Sequence, residues 1–440
     1  MTAKPRPKQT TLMLILDACR SDYFTSGEMP YIEKLQKESL HGEGESPPGF
    51  AQRTTMFTGT YPDTSQNFSA FGYSPENSPF KWLNKMGPLR HLYLPHAWMI
   101  PARMAIRTIT KKVTGNFHTD PAWIRGSFLP FFEVVEDTRP IFDEGALPFT
   151  SVFDLCRQYN KEFFYGAHPV SGDDEEIYKM LLERIHRRDE TELYIGQFSA
   201  LDEGGHPHGP YLPPDWEQAP DQSKKDVDHM RSALHEIDRK VRTLHEALLE
   251  NYEKVNILIL GDHGMAPVRR RVNVLKDVQK ATGAKPGKDF VLFLDSTYAK
   301  FWFHDKETER KIMEHLATVD YGHIIDDAEA RHHRIKFDHR RYGDMMFAAD
   351  VGVLFWPDYF HIMERPIKGM HGYIDKDEET YGALLLHGPG LGSDDIGRRI
   401  LVDIFPTLCD LVGLPTTPHN EGRSMVGEEK VREVEVHPRH

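Results

Sequence analysis

The chain has 440 residues, 39% of them hydrophobic and 11% aromatic, and a formal net charge of −13. That length admits two or three average domains or one elaborated α/β domain. The acidic balance argues against binding nucleic-acid polymers, and three widely spaced cysteines (Cys19, Cys156, Cys409) exclude a disulfide framework.

Residues 1–8 are basic, but the apolar run behind them is short and ends in Asp17 and Arg20, so no signal peptide is read there. No stretch reaches the ~18–20 apolar residues of a membrane span. The expectation is a cytoplasmic protein of a reducing compartment. Residues 10–18 form a continuous apolar run ending on Asp17 and read as a buried strand. Residues 29–40, with Ile32, Leu35 and Leu40, predict a helix. A Pro/Gly turn from Ser46 to Gly49 precedes a further helix opening over 50–59. From about 78 to 144 the pattern breaks up. Within it, residues 90–112 are basic and amphipathic but interrupted by Pro95 and Pro101. They suit a lid or an oligomer contact better than a membrane surface.

Alternation resumes with a helix at 149–159, a short strand at 163–165 and an amphipathic helix at 173–188. The apolar run 193–198 continues through Ser199-Ala200-Leu201 to Asp202, with His206 four residues on. A helix over 223–252 places Met230, Leu234, Ile237, Val241, Leu244 and Leu248 on one face. The run 255–260 leads into Gly261-Asp262-His263-Gly264-Met265. Residues 273–366 read as an inserted α+β segment, with strands at 290–294 and 300–304 and a helix at 308–318. The main pattern returns at 382–386 and closes with a helix at 402–412, before a charged surface tail over 421–440.

Three apolar runs thus deliver Asp17, Asp202 with His206, and Asp262 with His263 to strand ends. In open α/β sheets that rim is where ligands bind. Gly369-Met370-His371-Gly372-Tyr373 adds a histidine between glycines, which permit unusual backbone angles and close approach. Together the carboxylates and imidazoles fill two mixed N/O sites of the kind zinc or manganese accepts. Singly, each signal is weak, because an aspartate after a strand is also an ordinary helix N-cap. Jointly and in this order they point to a metal cluster, which would also admit an anionic substrate by inverting the local field.

This order of motifs resembles the alkaline phosphatase superfamily, most closely its nucleotide pyrophosphatase/phosphodiesterase-like branch, with the sulfatases as neighbours. The likeness is carried by Leu16-Asp17-Ala18-Cys19-Arg20-Ser21-Asp22, Phe57-Thr58-Gly59-Thr60-Tyr61-Pro62, Asp202-Glu203-Gly204-Gly205-His206-Pro207-His208-Gly209-Pro210, Gly261 to Met265, His371-Gly372-Tyr373 and Val402-Asp403-Ile404-Phe405-Pro406-Thr407. The resemblance implies an α/β fold, a three-layer α/β/α sandwich around a mostly parallel sheet. It implies a single catalytic domain over 1–440 with cap insertions at about 79–145 and 273–366. One divalent ion would be held by Asp17, Asp262 and His263, and another by Asp202, His206 and His371, with Zn2+ the first choice and Mn2+ the second. Ions ~3.5–4 Å apart clamp the attacking and leaving oxygens of an in-line displacement. The implied substrate is a small-molecule phosphate ester.

The family places a Thr, Ser or Cys nucleophile ten residues before the glycine of the Thr58-Gly59 pair, and that position is Gly49. Four accounts stay open: attack by metal-bound hydroxide, takeover by a displaced hydroxyl such as Ser46, Thr54 or Thr55, binding without turnover, or an engineered loss of the nucleophile. Arg53 is a candidate for bidentate contact with a phosphate oxygen, or a surface ion pair. Gln52 is a candidate donor, and backbone amides at Gly49 and Phe50 are candidates for stabilising non-bridging oxygens. His208 reads as a substrate or metal-surround contact, or as a turn histidine; Cys19 reads as core. The expected function is metal-dependent hydrolysis of a phosphodiester or related phosphate ester. A sulfatase is the alternative, opposed by the three histidines and by Gly49, where that branch needs Cys or Ser. A non-catalytic metal- or phosphate-binding homologue is the third reading.

Overall fold

The apolar runs assemble into strands β1 (Gln9–Leu16), β2 (Leu40–Glu45), β3 (Glu162–Gly166), β4 (Thr191–Phe198) and β5 (Lys254–Leu260). Then come β6 (Phe290–Leu294), β7 (Tyr298–Phe303), β8 (Gly322–Ile324) and β9 (Met345–Ala349), and finally β10 (Gly382–His387) and β11 (Asp395–Ile400). The structure is a computed structural model, and it describes residues 7–92, 127–135, 139–212, 222–359 and 367–427 with isolated positions between 101 and 124. The central sheet has the order β11-β2-β10-β5-β1-β4-β3. Its strands run parallel except β10, which is antiparallel to both β5 and β2.

Side chains alternate across a strand, so β1 feeds two cores. Leu12, Leu14 and Leu16 pack on one face with Leu181 and with Leu234, Ile237 and Val241 of the helix Lys224–Asn251. Met13 and Ile15 pack on the other with Met56, Phe153 and Leu408. Helices therefore cover both faces, and the fold is the expected three-layer α/β sandwich around a mostly parallel sheet. Ser223 caps the Lys224–Asn251 helix through a capping box with Asp226.

A second sheet, β6-β7-β9-β8, is antiparallel throughout and has its own core, which includes Phe293, Trp302 and Phe347. The short pair Phe71–Tyr73 and Phe132–Val134 packs on it, with Tyr73 stacked on Trp302 at 5.0 Å.

Several expectations need correction. The helix expected over 29–40 ends at Gln36, and β2 begins at Leu40. Its sequence, Leu40-His41-Gly42-Glu43-Gly44-Glu45, lacks apolar alternation because Gly42 lies so close to Gly397 that a Cβ would meet its carbonyl oxygen at 2.1 Å. Asp202 is not at a strand end: β4 stops at Phe198, and the helix Ala200–His208 carries both Asp202 and His206. The presumed tail is docked at its start, where Glu421 accepts hydrogen bonds from Tyr61 and Arg334 and Met425 is fully buried. Most of 90–112 and all of 428–440 lie outside the described residues. No described helix is long and apolar enough to cross a membrane.

Candidate metal centre and its cavity

β1, β4 and β5 end at one rim. The Asp17 amide donates to Phe198 O at 2.9 Å, which keeps the first loop in step with β4. Gly261 follows β5 where a Cβ would stand 2.2 Å from Cys19 O, so only glycine lets the Asp262-His263 loop pass this close to the Asp17 loop. Asp174 accepts hydrogen bonds from the amides of Ser199 (2.7 Å) and Ala200 (3.1 Å) and thereby fixes the start of the Ala200–His208 helix. On that helix Asp202 and His206 are four residues apart and share a face. The two-residue strand Gly369–Met370 pairs with Ala266–Pro267, just beyond Met265, and carries His371 to the same place.

Two triads result. Asp17, Asp262 and His263 each offer a ligand atom within 4.8 Å of the others, and so do Asp202, His206 and His371. His263 Nε2 lies 3.3 Å from Asp17 Oδ1, while His206 Nε2 and His371 Nε2 lie 3.3 and 3.4 Å from Asp202 Oδ1. The triads adjoin, since the His263 and His371 rings stack at 3.7 Å with an interplanar angle of 6°. The backs of two imidazoles are fixed: His206 Nδ1 meets Gly369 O and His263 Nδ1 meets Gly264 O, each at 2.9 Å. Such partners set the ring orientation a metal ligand needs.

The charge balance fits divalent cations. Burial, and then the neighbouring Asp17 charge, push the Asp262 carboxyl up. Burial pulls His263 down, but Asp262 and Asp17 outweigh it and raise its pKa. At Asp202 burial is likewise outweighed, by His206 and His371, which hold the carboxyl below its usual range. Asp202 Oδ1 is buried with no hydrogen-bond partner of regular geometry among the described residues. Packed carboxylates that recruit positive charge, mixed with imidazoles, are a donor set for zinc or manganese.

A cavity of about 650 Å³ opens over the triads and is lined by Asp17, Asp202, Asp262, His263 and His371 together with Phe50, Gln52, Arg53, Thr54, Asn67 and Gln197. Arg53 donates to Gln197 Oε1 at 3.1 Å, and Gln197 Nε2 donates to Asp17 Oδ2 at 2.7 Å. Thr54 Oγ1 accepts from Asn67 Nδ2 at 2.9 Å.

Of the other sequence candidates, Phe50 and Gln52 line the cavity and the rest fall elsewhere. Gly49 has φ +101°, and a Cβ there would meet Phe68 Cδ2 and Phe68 O, each at 2.6 Å. Ser46 Oγ is buried, turned to Pro47 O at 3.4 Å, and does not line the cavity; Thr55 is buried outside it as well. The Phe50 amide donates to Phe68 O, so the expected oxyanion contact from that amide is not made; the Phe50 ring instead stands edge-on to His371. Gln52 Nε2 donates to Gly49 O at 3.0 Å, which commits one of its two N–H groups. His208 does not line the cavity and bonds Asp226, which corrects its reading as a substrate contact. Cys19 is fully buried, as expected of a core thiol.

Gln197, Asn67 and Asp174 were not singled out from sequence. Gln197 carried a signal: a polar residue inside a buried apolar strand needs a partner.

The profile of the family described as type I phosphodiesterase / nucleotide pyrophosphatase matches residues 11–374. The bis(5'-adenosyl)-triphosphatase ENPP4 of Bos taurus is 25% identical over 236 residues, 50% of this chain and 44% of that protein. Its Xenopus laevis counterpart is 21% identical over 429 residues, 93% of this chain and 79% of that protein. The chain therefore spans under half of the bovine relative's length in that match. Among solved structures, murine and human ectonucleotide pyrophosphatase / phosphodiesterase 5 superpose with TM-scores of 0.63 at 16% identity, covering 94% of this chain and 97% of each of theirs. An inactive variant of the murine protein has been solved in complex with AMP. At that identity the likeness shows the fold.

Proposed function

Because the chain belongs to the type I phosphodiesterase / nucleotide pyrophosphatase family of phosphoric ester hydrolases, a branch of the alkaline phosphatase superfamily, we propose that it hydrolyses a small-molecule phosphodiester or pyrophosphate with two divalent ions and with water as the nucleophile. The observation that carries this reading is the pair of adjoining triads, joined through the His263–His371 stack, with all their residues except His206 lining one cavity. Asp17, Asp262 and His263 would hold one ion and Asp202, His206 and His371 the other, Zn2+ first and Mn2+ second. Bound there, the ions would supply Lewis acidity to the phosphoryl oxygens and lower the pKa of water toward ~7.

The chain's own residues do the rest. Arg53 faces the same cavity and offers its guanidinium to a non-bridging oxygen, while Gln197 ties it to Asp17 and so to the first triad. Water is favoured over a side chain because position 49 is closed by Phe68 and Ser46 is turned away. Thr54, which does line the cavity, accepts from Asn67 and is the hydroxyl that remains to be tested against water. The segments about 79–145 and 273–366 are assigned the role of a cap that selects the ester. Relatives named for dinucleoside triphosphate hydrolysis, and a neighbour holding AMP, support a nucleotide-type substrate. Three free, buried thiols support a cytoplasmic setting.

The test is hydrolysis of bis-p-nitrophenyl phosphate, p-nitrophenyl phosphate and p-nitrophenyl sulfate by metal-stripped protein reconstituted with Zn2+ or Mn2+, with Asp262→Asn as the blank. Metal-dependent turnover of the diester above the blank supports the proposal. Turnover of the sulfate ester alone would replace it with a sulfatase, and no turnover with both ions bound would favour a binding protein.

A further inference from the structure

Asp226 lies outside the cavity, in the first turn of the Lys224–Asn251 helix, yet its carboxylate is bonded to both segments that deliver the histidines of the second triad. His208, at the end of the helix that carries Asp202 and His206, meets Asp226 Oδ1 through Nδ1 at 2.7 Å. Lys368, three residues before His371, meets Asp226 Oδ2 through Nζ at 2.8 Å. The two segments are also stitched to each other: the Lys368 amide donates to His206 O at 2.6 Å, and Gly369 O meets His206 Nδ1. Ser223 adds hydrogen bonds to Asp226 Oδ2 from its amide (2.8 Å) and its hydroxyl (2.6 Å).

We infer that Asp226 is a positioning residue for the second ion: its carboxylate holds the His206 helix and the His371 loop at the separation that lets both imidazoles converge on Asp202. The inference rests on the two-ion reading above. Among the described residues Asp226 makes no direct hydrogen bond to the loops of the first triad, whose residues follow β1 and β5 and are held by Gln197 and Gly264 O. Burial alone would raise the Asp226 carboxyl, but Lys368, Ser223 and His208 outweigh it and hold it below the usual carboxylate range, so it stays charged at neutral pH and His208 Nδ1 is the donor. An outer partner that orients metal ligands changes affinity by roughly 10–100-fold when removed.

Asp226 also caps its helix, so the experiment separates capping from positioning. Zn2+ affinity is measured by competition with a chromophoric chelator, together with the urea unfolding midpoint. Asp226→Asn and Lys368→Met are each placed in an Asp262→Asn background, which leaves the second triad complete, and in an Asp202→Asn background, which leaves the first. Ser223→Ala is the capping control. The expected result is an affinity about 10–100-fold weaker in the first background and unchanged in the second. Ser223→Ala should lower the midpoint without moving either affinity. Unchanged affinity in the first background, equal loss in both, or the same loss in Ser223→Ala would overturn the positioning role. Wild-type protein that takes up fewer than two equivalents would instead overturn the two-ion reading, and this inference with it.

Discussion

Phe68 occupies the direction in which a side chain at Gly49 would project. A Cβ at Gly49 would lie 2.6 Å from the Phe68 ring and 2.6 Å from its carbonyl oxygen, and the same carbonyl accepts the Phe50 amide. Phe68 is itself held between Tyr298, at 5.7 Å, and Tyr342, at 5.5 Å, in a cluster reaching the second sheet. The missing nucleophile is therefore not a vacancy awaiting a hydroxyl. The backbone angle and the packing both require glycine.

Gly49→Thr should accordingly destabilise the protein without improving it as a catalyst. A positive φ costs a β-branched residue about 1–3 kcal/mol and overpacking a similar amount. A loss of about 2–6 kcal/mol is expected by urea unfolding, with diester turnover unchanged or lower. A gain in turnover with a burst of product would show that the pocket accepts a side-chain nucleophile after all.

Arg53 reaches the first triad through a single intermediary, Gln197. Arg53→Ala should lower kcat/KM for the diester about 10²–10³-fold, the range for losing one donor aimed at developing charge. Metal stoichiometry should be unaltered. If kcat/KM stays within a factor of about three, Arg53 serves the fold rather than the phosphoryl group.

Ligands that bind only the folded state stabilise it. At 100-fold excess over the dissociation constant, each ion adds about 2.7 kcal/mol. Chelator-stripped protein should melt lower than the reconstituted form, and Asp262→Asn should recover only part of the difference on adding Zn2+. Identical melting curves with and without metal would argue that the triads hold no ion.

Much of this was legible in the sequence. The buried parallel strands announced themselves because both their faces are covered, giving continuous apolar runs such as Leu12 to Leu16. The residues that the structure gathers into two candidate triads were conspicuous because Asp17, Asp262 and His263 directly follow such runs and Asp202 with His206 comes a few residues after one. What escaped had weaker local signals. β2 is glycine-rich and charged, since close contact with Gly397 replaces side-chain packing. The helix start after β4 was hidden because its cap comes from Asp174, far back in the chain, rather than from an adjacent residue. The closure of position 49 by Phe68 is a tertiary contact that no local pattern encodes, and so is the diversion of His208 to Asp226.

His245 gives an acid limit independent of the metal centre. It is 4% exposed, its Nδ1 lies 2.9 Å from Tyr31 Oη, and burial followed by the His387 charge pushes its pKa down to about 4. Between the unfolded value near ~6.5 and about 4, the unfolded chain binds the proton and the native one does not, so stability falls as pH falls through that window. The contribution lost is about 3 kcal/mol. His245→Gln should be less stable at pH 7 but should show a shallower decline toward pH 4.5 in urea unfolding. A decline as steep as wild type would assign the acid limit to other groups.

Attack by water, with no covalent bond to the protein, is tested most directly by the stereochemical course at phosphorus. A phosphorothioate diester of one configuration would be hydrolysed in 18O-water by the Zn2+-reconstituted protein, and the configuration of the product determined. A single displacement predicts inversion. Retention would require two displacements through a protein side chain, Thr54 being the hydroxyl that lines the cavity, and would contradict attack by water.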